Sequence, residues 1–140
     1  MQLTLRRALG LALFLATTCP CLALMAIAHV TPARAKELGI TLRSNPNGDA
    51  GVAVRLEFKP VGVLKNFTRV ELRLASGGQH LVSAPLQTKR TADGTVEAWF
   101  SAAPEQLAGS TLLIAVTDAP RSHYGYAMAV KDFIVTEPAR

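Results

Sequence analysis

Imidazoles, thiols and phenols are scarce in this chain: three histidines, two cysteines and two tyrosines in 140 residues. Asp118 and His123 close the two ends of the segment Asp118-Ala119-Pro120-Arg121-Ser122-His123. They can offer a carboxylate and an imidazole to one metal ion, and they are the candidate metal ligands, although two ligands do not complete a site. His29 would become an amino terminus if the chain were cut after Ala28. Its amine and ring nitrogen would then suit Cu(II). His80 follows Gly77-Gly78 and stands alone. Tyr124-Gly125-Tyr126, next to His123, is the aromatic cluster of the chain. It can pack a sheet edge or, if exposed, contact a partner, so Tyr124 and Tyr126 are the candidate partner-binding residues. Trp99 suits the cover of a sheet face as well as it suits a contact.

Catalytic patterns are missing. Ser122 and His123 are sequence neighbours, and neighbours on a strand point to opposite sides, whereas a serine nucleophile needs its histidine beside it. The chain has no G-x-S-x-G elbow and no G-x-G-x-x-G loop. Its acids sit singly among polar residues rather than as facing pairs. These absences point to a protein that is not an enzyme.

The elements that hold these residues begin after an export segment. Arg6 and Arg7 are followed by a stretch without charge from Ala8 to Val30. Two small-x-small sites come next, Ala26-Ile27-Ala28 and Ala33-Arg34-Ala35. Positive start, apolar middle and small-residue end describe a signal peptide. Residues 1–35 are therefore expected to be the signal and residues 36–140 the domain, with a cut after Ala28 as the alternative. An uncleaved anchor would also have the length to cross a bilayer core of about 30 Å, against which Pro20 and the downstream sites argue. Once the signal is cut, no membrane span is expected. Cys19 and Cys21 leave with it, which excludes a disulfide framework and a thiol site in the mature domain. Arg6, Arg7 and Arg34 leave too, so the net charge falls from +5 to +2. The remaining charges are scattered, which removes the case for nucleic acid. A periplasmic or secreted location follows.

The domain reads as short strands. Val52, Val54, Leu56 and Phe58 alternate with Ala53, Arg55 and Glu57, and Val70, Leu72 and Leu74 with Glu71 and Arg73. This period of two marks half-buried strands. Leu38–Arg43 suits a first strand. Gly77-Gly78 suits a turn before His80–Ser83, and Ala92-Asp93-Gly94 a turn joining Leu86–Thr91 to Thr95–Phe100. Ser110–Thr117 is apolar on both sides, as a central strand would be. Tyr126–Val135 changes register, which predicts a bulge near Lys131-Asp132. Pro104–Leu107 suits one helical turn. The core is expected to hold Val54, Leu56, Phe58, Val70, Leu72, Leu74, Val96, Ile114 and Val116. About seven short strands with frequent turns predict an all-β, immunoglobulin-like two-sheet sandwich.

Val52–Gly78, Gly94–Asp118, His123 and Gly125, with the opening Leu42-Arg43-Ser44-Asn45-Pro46-Asn47-Gly48, resemble the CopC-type copper-resistance proteins of the bacterial periplasm. The shared order is a strand ending in Phe, a loop with a second Phe, a strand, a Gly turn, further strands and an Asp/His loop. The resemblance implies the sandwich fold, and copper ligation at His123 and Asp118. It departs where the family places a copper-binding His before the opening Leu, because Gly39 stands there. The Asp118–His123 spacing is also wider than the family's. Two functions are expected from these readings: an exported module that binds or relays copper, or a metal-free module that binds another cell-envelope protein.

Overall fold

Alternation of apolar and polar side chains decides which side of each strand turns inward. Residues 25–46, 51–76, 79–119 and 122–134 are described by the structure, a computed structural model. Arg6, Arg7, Cys19, Cys21, the Gly77-Gly78 turn, Val135 and the tail from Thr136 lie outside the described residues. In β3 (Val52–Phe58), Val54, Leu56 and Phe58 are buried and Arg55 is exposed. In β7 (Val96–Ala102) the buried residues are Val96, Ala98, Phe100 and Ala102. These two strands pair antiparallel, flanked by β2 (Thr41–Pro46) and β6 (Thr88–Arg90), in the order β2-β3-β7-β6.

The second sheet has five strands: β1 (Ala26–His29), β4 (Phe67–Ser76), β5 (Gln79–Leu86), β8 (Ser110–Ala119) and β9 (Ser122–Ala129). Their order is β1-β9-β8-β4-β5. β8 runs through the middle, as its two apolar sides require. Val70, Leu112, Ile114, Val116 and Met128 point from this sheet toward the other. Phe58 and Phe67 meet edge to face at 5.2 Å between ring centroids. The two layers form the all-β sandwich expected from the sequence, with nine strands among the described residues.

The first of these strands was not expected. β1 pairs parallel with β9, Ala26 opposite Tyr124 and His29 opposite Ala127. The Val30 N–H donates to the Ala127 carbonyl at 2.8 Å. Helix α1 (Pro32–Glu37) follows, with Pro32 in its first turn and the Thr31 hydroxyl accepting from the Arg34 N–H at 3.3 Å. Val30, Ala35 and Ile40 are buried in the core, Ala35 to 1% exposure. Residues 26–35, which the sequence alone assigns to the export segment, are thus built into the sandwich.

Three further expectations change. Leu86–Thr91 is not one strand: Leu86 ends β5 in one sheet and Thr88 begins β6 in the other. The last strand stops at Ala129, which pairs with Thr111 near the start of β8. The chain then turns through a 3₁₀ segment, Val130–Asp132, so a turn makes the change of register that a bulge was expected to make. Leu72 is only partly buried against the core, and Leu74 is half-buried outside it, opposite Ser110 at the start of β8. The turn at Ala92-Asp93-Gly94 and the helical turn α2 (Pro104–Leu107) fall where expected. Gly94 takes a φ of +84°, in the left-handed region that glycine tolerates.

Candidate functional site

The β8–β9 hairpin carries the candidate metal ligands. His123 is a strand residue of β9 whose cross-strand partner is Thr117, not Asp118. The Thr117 Oγ1 and His123 Nδ1 atoms are 3.4 Å apart, and the imidazole tautomer decides which of them donates. Asp118 is exposed and falls at the irregularity between the Thr117–His123 and Ala119–Ser122 pairs. The hairpin brings both residues to one end of the sheet and sets a hydroxyl, rather than the carboxylate, opposite the imidazole. His29 does not join them. It pairs with Ala127, four residues along β9 from His123, which is about 13 Å at strand rise. His80 lies on β5 opposite Ala75, at the other end of the sheet. Among the described residues, no three His, Cys, Asp or Glu side chains gather as a metal site would require.

The tyrosines separate. Both occupy the core-facing side of β9, two residues apart. Tyr126, opposite Ile114, is half-buried and packs on the core. Tyr124, opposite Val116 at the end of the sheet, is 42% exposed. Ala26 is its neighbour on β1, and the next residue, Ile27, is 41% exposed on the outer side. Tyr124 and Ile27 therefore flank the free edge of β1 from the two sides of the sheet. The sequence singles out Tyr124 as an aromatic residue and does not single out Ile27, which is hidden in a run of apolar residues.

The outer sides of the two sheets differ in chemistry. On the five-stranded sheet Leu113, Ala115 and Ala127 face away from the core and are nevertheless buried. Gly125 sits between them for lack of room: a Cβ there would lie 2.6 Å from Leu113 Cδ1 and 3.0 Å from Met25 Sδ. Beside this apolar strip, Glu71 of β4 accepts from Arg69 Nε at 2.5 Å and from an Arg73 guanidinium nitrogen at 3.2 Å. Burial pushes the Glu71 carboxyl upward, but the two arginines outweigh it and hold it below its ordinary value. The Arg73 Nε is buried without a partner.

On the four-stranded sheet the outer side is charged. Arg55 pairs with Glu97 across the strands and with Glu57 at 2.9 Å, and Arg43 approaches Glu57 at 4.0 Å. Trp99 stands among them, 53% exposed. The β6–β7 turn adds Asp93, whose carboxylate accepts from the Thr91 and Thr95 hydroxyls and is lowered to about 2 by those bonds. A shallow groove of about 400 Å³ opens beside α1, lined by Leu38, Glu57, Phe58, Lys59 and Val61. Its lining holds no histidine, and Glu37 of α1 is the second carboxylate on it besides Glu57.

The sheet edges differ in the same way. β1 (AIAH) and β5 (QHLVSAPL) carry no charged residue, whereas β2 carries Arg43 and Pro46 and β6 carries Lys89 and Arg90. Charge and proline on an edge strand block pairing with another chain; β5 carries Pro85, and β1 carries neither. No helix among the described residues is long and apolar enough to cross a membrane. No known protein family matches the chain, and no curated protein matches it.

Proposed function

We propose that the protein is an exported, non-enzymatic interaction module of the bacterial periplasm whose mature chain keeps β1, and that its partner is another envelope protein that adds an extended segment along β1. One observation carries this reading: among the described residues the outer edge of β1 pairs with no strand, it is uncharged, and it is flanked by two exposed large apolar side chains, Ile27 and Tyr124. Backbone N–H and C=O groups on such an edge supply affinity, and the flanking side chains supply specificity. Ala26 is too small to screen Tyr124 from an incoming strand. The five-stranded sheet is thus complete as a core layer and open as an edge. A photo-crosslinking residue placed at Ile27 in living cells is expected to give one discrete protein adduct, lost on Tyr124→Ala. The same probe at Trp99 is expected to give none. Equal labelling at the two positions, or an adduct indifferent to Tyr124→Ala, argues against the reading.

A copper reading has one observation on its side, the convergence of Asp118 and His123 at the same hairpin end. It adds to the resemblance to CopC-type proteins. Saturable Cu(II) binding that is lost in His123→Ala would support it, and binding unchanged in that variant would remove these residues from it.

A further inference from the structure

We propose that the segment added along β1 runs antiparallel to it, with a branched aliphatic residue opposite Ile27 followed directly by a large apolar residue opposite Ala26. This rests on the strand addition proposed above, and it assigns the partner segment a direction, a register and a side-chain chemistry.

The backbone of β1 sets direction and register. In a parallel pair, alternate residues turn both N–H and C=O toward the neighbouring strand. The Val30 N–H donates to the Ala127 carbonyl at 2.8 Å, so Ala26, Ala28 and Val30 are the residues that turn toward β9. Ile27 and His29 turn their N–H and C=O groups the other way, and among the described residues nothing bonds to them. An antiparallel segment meets all of these groups with two residues, one opposite Ile27 and one opposite His29. Neither can be proline, since each donates its own N–H. A parallel segment makes the same bonds only by reaching past His29 to the position opposite Val30. There the chain leaves the edge, because the Val30 side chain is buried in the core. With four residues, β1 is long enough for the antiparallel arrangement and too short for the parallel one.

The side chains set the chemistry. Ala26 and Ala28 share the core-facing side with Tyr124 and Tyr126, their partners on β9, and both alanines are exposed. An added strand lies two strand spacings from β9, about 9–10 Å. A large side chain opposite Ala26 reaches over that methyl group to the exposed ring of Tyr124, and a small one does not. Ile27 stands on the other side of the sheet beside Gly125, where a branched aliphatic residue opposite it covers its exposed surface. Ala26, Ile27 and Tyr124 carry no charge, so a charged residue opposite them would lose water and gain no partner. A second copy of β1 does not fit this edge. Paired antiparallel through Ile27 and His29, it sets Val30 opposite Ala26, and Val30 is held in its own core. Tyr124 would stay bare.

The test selects short random peptides displayed on phage against the purified protein, and then studies one selected peptide made synthetically. The expected consensus is a branched aliphatic residue followed directly by a large apolar one. The bound peptide is expected to slow hydrogen exchange at the Ile27 and His29 amides. A spin label on its carboxyl end is expected to broaden the NMR signals of Tyr124 more than those of Ala129, which lie at opposite ends of β9. Ile27→Pro removes an outward N–H and leaves the bonds between β1 and β9 in place. It is expected to weaken peptide binding at least about tenfold. N-methylation of the peptide residue opposite Ile27 is expected to do the same with the protein untouched. Protection of both amides with the label nearest Ala129, or a consensus with charge opposite Ala26, overturns this proposal and leaves strand addition standing. No selected peptide, or peptides that bind without protecting either amide, overturns strand addition as well.

Discussion

The four-stranded sheet is finished on every side that meets water, and the five-stranded sheet is not. Arg43 and Pro46 guard one edge of the former and Lys89 and Arg90 the other, while Arg55, Glu57 and Glu97 cover its outer side. The latter has no charge on either edge strand and buries Leu113, Ala115 and Ala127 on the side away from the core. A solvated antiparallel sheet needs one apolar side only. An edge without charge, bulge or proline is the kind that accepts another strand. β5 has Pro85 near its end, and among the described residues nothing beyond its four-residue length protects β1. Both layers supply the core, while the uncharged edge strands and the buried outer strip belong to one of them.

Removing β1 and α1 tests that contrast most severely. A chain beginning at Lys36 loses two buried core residues and a strand pairing, and should be less stable by about 4 kcal/mol or fail to fold. Urea unfolding compared with the chain from Met25 measures it. Equal stability would show that the five-stranded sheet is complete without its first strand. The next effect concerns the ion cluster beside the apolar strip. Glu71→Gln should cost about 1–2 kcal/mol, because charge-assisted hydrogen bonds from Arg69 and Arg73 are weakened. The Glu71 carboxyl is lowered in the folded state. Its contribution is therefore complete above the ordinary carboxylate value and is lost as pH falls through the lower folded one. Glu71→Gln should remove that part of the acid sensitivity, which unfolding midpoints measured from neutral pH down into the acid range would show.

The smallest effects belong to the charged sheet. Arg55→Ala should change stability by less than about 1 kcal/mol, since its ion pairs are half in water. A larger loss in thermal unfolding would mean that this side is covered after all. Asp93 should titrate near 2 by NMR because of its bonds to Thr91 and Thr95. A midpoint near 4 would show that the turn is not closed in solution.

Strands with a regular period were legible in the sequence. Val54, Leu56 and Phe58 in β3, Val70 in β4 and the two apolar sides of β8 all follow from local alternation and land where expected. β1 was not legible, for a physical reason. Ala26-Ile27-Ala28-His29 continues a charge-free run that an export signal also requires, and its partner β9 lies about a hundred residues away in a parallel pairing. Nothing local distinguishes a strand there from the end of a signal. The break between β5 and β6 at Gln87 was hidden because both halves are extended. His123 reads as a loop residue because Pro120 precedes it. Only the register, Thr117 opposite His123, places it on a strand with a hydroxyl for a neighbour. The exposure of Tyr124 and Ile27 was not legible, since exposure at an edge depends on which strand is last.

The account stands on the claim that the folded unit begins before Val30. Amide hydrogen exchange in the mature protein tests it at one group, the Val30 N–H that bonds the Ala127 carbonyl. The account predicts protection of that amide comparable to the amides of β8 in the middle of the same sheet. Exchange at the rate of an unstructured chain would contradict it.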